Sequence, residues 1–466
     1  MNNIFSPLLR QRNLQTAVVA LLLVGMSATA ANAQEKAPAK ELSDKVSEAL
    51  GGPIKNAKDA SQKDPTQHAE VLRLLDPLIA NSAPNSYDRE VLTVEKAQEL
   101  MAMNKNSEAI PSLEEGLRIT DQFHYFDENT TLEMVLTLAQ IYGQEGQNSK
   151  SADQQRQYYA KAYNYVRRYL DQSKAPSADM EQFAASILLQ QATVNPSKVD
   201  IGLVKQAEVE IQKGMRLAVT PKVQFYELLL SAIQQEGDFK RSADVLERLV
   251  QLSPNAKTYW QPLASTYIQL ASDGENEDYY IRAILTIERA QQYGFLNTPK
   301  DNYTLVGIYL NIHQYDKAVE LLDAGLRNGA IESTEENWKL LGQTYQQLHK
   351  EQKAIDALKD ASKRFPKSGE IELQIGQLYY TLDKIPEAYN YIKLALTKGK
   401  VSKPAQTYFL LAYLAFESKK LDEALEYVQK SLKLDAHSKD AVQFEENVKA
   451  AIKDRDAAKA DANKTT

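Results

Sequence analysis

NWKLLGQTYQQLHKEQKAIDALKDASKRFP, residues 337–366, places Trp338, Leu341, Gly342 and Tyr345 in one run and Ala354, Leu358, Ala361 and Pro366 in a second. Apolar residues at three- and four-residue steps make each run one face of an amphipathic helix. Gly342 does not serve that stripe, because glycine inside a helix costs about 1 kcal/mol relative to alanine. Paired with Ala354, it predicts two helices that meet where neither has a bulky side chain. Pro366 closes the second run, since proline cannot continue the hydrogen-bond ladder.

The same arrangement recurs. Gly376 stands 34 residues after Gly342, in the frame Ile375, Gly376, Tyr379, Ala388, Ile392 and Ala395. Tyr408, Leu411, Ala412, Ala424, Val428 and Ser431 form the next frame, and Leu305, Tyr309, Ala318, Leu322 and Gly325 the preceding one. Tyr226 and Trp260 are again 34 apart. A period of this size marks stacked helix-turn-helix units.

The pattern resembles the tetratricopeptide repeat, W-x2-L-G-x2-Y followed by A-x3-F and a closing P. Residues 335–368 match it throughout, with Leu358 in the Phe place, and neighbouring units match in part. The resemblance implies an all-α fold, a right-handed superhelical solenoid of about nine antiparallel helix pairs. The matched array covers residues 223–436. Residues 65–222 read as divergent helical repeats, in which Ala97 and Ala109 are the small contacts of one pair. TLEMVLTLAQIYGQEG and QQRQYYAKAYNYVRRYL form a second pair with a longer polar turn, and DMEQFAASILLQQA and LVKQAEVEIQKGMRLA a third. No alternating β-branched run predicts a sheet.

The ends read differently. Residues 1–33 have the form of a cleaved signal peptide: Arg10 and Arg12, an apolar run over 16–30, then Ala31-Asn32-Ala33. That run falls short of the about 20 residues that span a bilayer comfortably. Cleavage after Ala33 would leave Gln34 first, no membrane span in the mature chain, and a periplasmic protein; an uncleaved anchor is the alternative. Residues 34–64, punctuated by Gly51-Gly52-Pro53, read as an N-terminal linker containing a short helix over 41–50. Residues 437–466 read as a capping helix and a charged tail too poor in apolar residues to order itself.

Composition narrows the function. The 466 residues carry a formal charge of −7, from 55 basic and 62 acidic side chains, which argues against a nucleic-acid partner. With no Cys, disulfides, thiol catalysis and an acylated Cys tether are excluded. The five His, His68, His124, His313, His349 and His437, are isolated from one another. There is no H-E-x-x-H, no G-x-S-x-G elbow and neither glycine-rich phosphate motif. No catalytic residue, cofactor or metal site is therefore expected. The acidic insertion ASDGENEDYYI, with Asp273, Glu275, Glu277 and Asp278, lacks the spacing of a calcium-binding loop and reads as a solvated turn. His313 and His349 read as exposed turn residues, and Tyr267, Tyr309, Tyr345 and Tyr379 as core.

In this repeat class the first helices line the concave side. The resemblance thus marks Tyr303, Lys339, Gln343, Gln346, Gln347, Gln377, Tyr380, Phe409, Tyr413 and Phe416 as candidate protein-binding residues. Amides can bond a peptide backbone, and aromatic rings supply anchor area at low entropy cost. Leu373 falls on the same side. Phe409 and Phe416 have a second reading, as contacts for the capping helix VQFEENVKAAIKD. Only Lys300 and Lys339 are placed to hold a terminal carboxylate, too few for the clamp of chaperone-binding members. KTYWQPLASTYIQL, LLDAGLRNGAIESTEENWKLLGQTY and LLDPLIANSAPNSYDREVL are also similar to periplasmic repeat proteins that accompany TonB and its ExbB/ExbD motor. That narrower resemblance implies a non-catalytic exported adaptor for protein or peptide partners in the cell envelope. The alternative is a structural subunit of a polysaccharide-export or cell-wall assembly machine.

Overall fold

The computed structural model describes residues 40–274 and 276–462. The expected signal peptide, its cleavage site and Glu275 lie outside them. Among the described residues every regular element is helical.

The chain gathers into two units, Met1–Asp238 and Phe239–Thr466. The first opens with α1 (Asp44–Ala49), a π-turn over Leu50–Ile54, α2 (Lys55–Ser61) and α3 (His68–Asn81). The pairs α4 (Tyr87–Ala102) with α5 (Asn106–Phe123) and α6 (Glu128–Asn148) with α7 (Ala152–Gln172) follow. α8 (Ala178–Ala192) pairs with α9 (Ile201–Leu217), and α10 (Val223–Glu236) packs on both. The second unit opens with α11 (Phe239–Leu252), then α12 (Lys257–Gly274) with α13 (Glu277–Gln292) and α14 (Pro299–Asn311) with α15 (Tyr315–Asn328). α16 (Glu335–Gln347) with α17 (Glu351–Arg364), α18 (Gly369–Thr381) with α19 (Ile385–Lys398), and α20 (Pro404–Glu417) with α21 (Leu421–Leu434) complete its pairs. α22 (Lys439–Ala462) lies against α21. Among the described residues eight helix pairs thus lie whole within a unit, and within each unit successive pairs stack.

The unit boundary falls inside the array expected over 223–436. Within its own unit α10 packs on α8 and α9, and within the other α11 packs on α12.

The opening stretch folds as its spacing predicts. A Cβ added at Gly342 of α16 would lie 3.0 Å from the Leu358 side chain of α17. At Gly376 of α18 it would lie 2.5 Å from Cδ1 of Ile392 on α19. The glycines therefore permit the close approach of paired helices. Trp338, Leu341, Ala354, Leu358 and Ala361 are fully buried around that contact. The Trp338 indole Nε1 donates to Ser333 Oγ at 2.9 Å.

Consecutive pairs are also tied by hydrogen bonds. Tyr267, Tyr309 and Tyr345 reach back from first helices and donate to Glu247, Glu288 and Asp323 of the preceding second helices, at 3.2, 3.0 and 3.3 Å. Lys359 Nζ donates to the Tyr379 hydroxyl at 2.8 Å. Burial, reinforced by Glu288, pushes the Tyr309 hydroxyl up to about 12. These tyrosines are therefore more than apolar filler. His313 and His349 sit in the turns between paired helices, with φ of 57° and 53°. Asp383 and Lys419 hold the same left-handed turn place in the next two pairs, at 57° and 59°.

Four expectations need correction. The helix expected over 41–50 forms as α1, but 50–61 is helical rather than linking, because Val46, Ile54 and Ala57 form an apolar side that packs on Val71, Leu75 and Leu92. The turn between α6 and α7 spans only residues 149–151, because both helices lengthen to 21 residues. The acidic insertion is likewise absorbed: α12 runs on to Gly274, and Asn276 caps α13 by accepting from Asp278 N. The charged run after Ile452 continues α22 as far as Ala462, with Arg455 pairing with Asp422 of α21 at 2.6 Å; residues 463–466 lie outside the described residues.

Candidate protein-binding face

The first helices α16, α18 and α20 adjoin one another as well as their partners. Gln374 Nε2 on α18 donates to the Lys339 carbonyl of α16 at 3.2 Å. The Tyr380 ring of α18 meets the Tyr413 ring of α20 edge-on, centroids 6.2 Å apart. These contacts set successive first helices side by side, so residues at matching repeat places form columns across them. One column runs Gln343, Gln377, Tyr413; the next runs Gln346, Tyr380, Phe416.

Of the candidate residues, Gln343, Gln346, Gln347 and Gln377 are exposed, as are Tyr303, Tyr380 and Tyr413. None of the four glutamine side chains makes a hydrogen bond within the described residues, so each presents a donor and an acceptor outward. By contrast, Gln352 and Gln429 on second helices are tied to Asp356 and Glu445, both at 3.0 Å. Lys339 is half-buried, with its Nζ 3.7 Å from Glu335, which further weakens any carboxylate clamp. Glu370 accepts from the Ser402 backbone N–H and so is engaged locally. Leu373 is buried and leaves the face. Glu417, together with Tyr380, holds the Tyr413 hydroxyl above its ordinary range.

Phe409 and Phe416 follow their second reading. Phe444 of α22 lies 5.6 Å from the Phe409 ring and 5.5 Å from the Phe416 ring, both edge-on, and 6.0 Å from Tyr413. Both phenylalanines are half-buried by that packing. Their spacing alone could not separate a binding stripe from a cap contact, because both use the same i, i+3, i+4 geometry. The open surface is thus an amide strip on α16 and α18, with Tyr303 toward one end and the Tyr380–Tyr413 pair toward the other.

The first unit holds buried acids that sequence spacing did not reveal. Glu90 of α4 is fully buried and accepts from Thr120 Oγ1. Burial pushes its carboxyl up to about 8, against a small opposing pull from Lys40. Glu181 of α8 is raised to about 7 by burial and by neighbouring Glu210. Arg167 lies within 3.3 Å of Glu181 and 3.2 Å of Glu210. Among the described residues no group of three or more His, Cys, Asp or Glu is placed to hold a metal ion. No described helix is long and apolar enough to cross a membrane.

Residues 405–438, spanning α20 and α21, match the tetratricopeptide repeat family. A search of curated proteins finds no match. Among solved structures, the chain is similar to YrrB, described as a TPR protein with an unusual peptide-binding site. The identity is 15%, covering 44% of this chain and 99% of that one, with a TM-score of 0.32. Yeast Tom70 gives 15% identity, 91% and 98% coverage and a TM-score of 0.31. Pseudomonas aeruginosa pilF gives 16% identity, 48% and 97% coverage and a TM-score of 0.30. At these scores the likenesses carry no weight of their own; the repeat match and the helix packing do.

Proposed function

We propose that this tetratricopeptide-repeat protein is a non-catalytic scaffold that holds a protein or peptide partner on the first-helix face of its second unit. The exposed amides of Gln343, Gln346, Gln347 and Gln377, free of internal hydrogen bonds, carry the reading. An extended backbone laid across them gains donors and acceptors without displacing bonds already made. Tyr303, Tyr380 and Tyr413 offer ring area for anchors, the residue type that dominates binding energy at interfaces. Phe409 and Phe416 belong to the cap and are not part of the site.

The setting of that scaffold is the cell envelope, on the strength of the signal-peptide pattern over 1–33. The phrases shared with TonB-associated repeat proteins favour a supporting role in an energised envelope transport system. The test is the triple change Gln343→Ala, Gln377→Ala and Tyr380→Ala, with capture of TonB, ExbB and ExbD from envelope fractions as readout. Lost capture with unchanged melting is expected. Capture that survives the triple change removes this face from the account. Absence of those three proteins from the wild-type catch removes the transport role.

A further inference from the structure

α9 differs from the other second helices in the charge it shows to solvent. Its two carboxylates, Glu208 and Glu210, are only 8% and 3% exposed. Glu210 is held inward by Arg167 at 3.2 Å, by the Tyr163 hydroxyl at 2.8 Å and by Lys213 at 3.0 Å. The solvent side of α9 therefore bears no carboxylate. Each of α5, α7, α11, α13, α15, α17, α19 and α21 exposes at least one. In a chain of net charge −7, an acid-free helix face runs against the surroundings.

The same face is unusually apolar. Ile201, Val209 and Leu217 are 38%, 47% and 46% exposed, and Val219 lies wholly in solvent just beyond the helix end. Lys205 and Arg216 are exposed and enter no ion pair among the described residues. Ile201, Lys205, Val209, Lys213 and Leu217 stand four residues apart, so they form one continuous i±4 ridge. The ridge is about 24 Å long and alternates aliphatic with basic at every step. Arg216 lies only about 20° around the helix from Lys205, so the two unpaired cations flank the central Val209.

We infer that this ridge docks an acidic amphipathic helix of a partner protein. Ridges at four-residue spacing pack into the grooves of a crossing helix, and an apolar groove edged by carboxylates complements this alternation. A flat lipid surface fits less well. Each step advances about 40° around α9, so Ile201 and Leu217 point too far apart to meet one plane. A single helix on a single ridge buries less than about 1,200 Å², so the association is reversible and weakens with salt. The site lies within the first unit and does not depend on the amide strip of the second.

The test titrates the full chain with a labelled helical peptide of about 20 residues, leucines on one face and glutamates flanking them. A permuted peptide of equal composition and anionic-lipid vesicles are run in parallel. Saturable binding of the amphipathic peptide alone is expected. The double change Lys205→Glu, Arg216→Glu, and separately Val209→Ser, should each weaken it about 10-fold or more, or about 1.4 kcal/mol. All three positions are exposed, so folding, checked by circular dichroism, should be unchanged. The inference is overturned if the peptide does not bind, if the permuted peptide binds equally, if the variants bind normally, or if vesicles bind and the peptide does not.

Discussion

Replacing glycine by alanine in the first helices should have opposite signs at two neighbouring places. In a helix interior the exchange gains about 1 kcal/mol from reduced unfolded-chain freedom and better propensity. At Gly307 of α14 a Cβ meets nothing within 4 Å, so Gly307→Ala should realise most of that gain. At Gly376 the new Cβ would lie 2.5 and 2.7 Å from Ile392 side-chain carbons and 3.1 Å from its backbone N. The side chain can turn aside, but the backbone of α19 cannot follow without opening the pair. Overpacking of this kind costs about 1–3 kcal/mol, which outweighs the propensity gain. Gly369 is tighter still, since a Cβ there would sit 2.3 Å from the Ala395 carbonyl oxygen and 2.4 Å from that of Gly399. The expected stability order is Gly307→Ala, wild type, Gly376→Ala, Gly369→Ala. For a unit of this size each kcal/mol moves Tm by about 2–4 °C. Both tryptophans, Trp260 and Trp338, lie in the second unit, so tryptophan fluorescence during urea unfolding follows that unit alone. If Gly376→Ala stabilises as Gly307→Ala does, the close helix approach is refuted.

Trp338→Ala should destabilise the second unit by about 3–5 kcal/mol through the cavity it leaves, read by the remaining Trp260 fluorescence. Tyr345→Phe removes only the bond to Asp323 and should cost about 0.5–1.5 kcal/mol in the same unfolding assay. Glu90 sets a pH dependence in the first unit. Its buried carboxyl, raised to about 8, keeps a proton that the unfolded chain has lost, so its contribution is whole below the unfolded value near 4.5. That contribution declines as pH climbs toward 8. Glu90→Gln should therefore gain over wild type in thermal melting steadily from pH 5 to 8; a difference that does not change with pH would refute the burial argument.

Periodicity made the array legible because packing is its cause. Gly342, Ala354 and Trp338 recur at intervals that only stacked pairs require, and the structure puts all three at the helix contact. α1 falls within the short helix read over 41–50, but its continuation into α2 escaped, since Gly51-Gly52-Pro53 reads as punctuation although a π-turn carries the helix through it. The Tyr-to-carboxylate ties between pairs escaped for another reason. A buried tyrosine ring and a bonded tyrosine hydroxyl leave the same mark in sequence, and the acceptors stand some twenty positions away, as with Tyr309 and Glu288. On the candidate face, Gln343 and Gln377 were readable from repeat register alone. The covering of Phe409 and Phe416 depended on where Phe444 landed, which no local pattern specifies.

On the proposed reading, the first-helix face of the second unit holds a partner. Site-specific photo-crosslinking in intact cells tests it most directly, with the crosslinker at Gln343, Gln377 or Tyr380, and at Lys353, Asp356 or Lys363 on the outer side of α17 as controls. A discrete crosslinked protein is expected from the first three positions and none from the controls. Crosslinks of equal yield from both sets, or from the α17 positions alone, would contradict it.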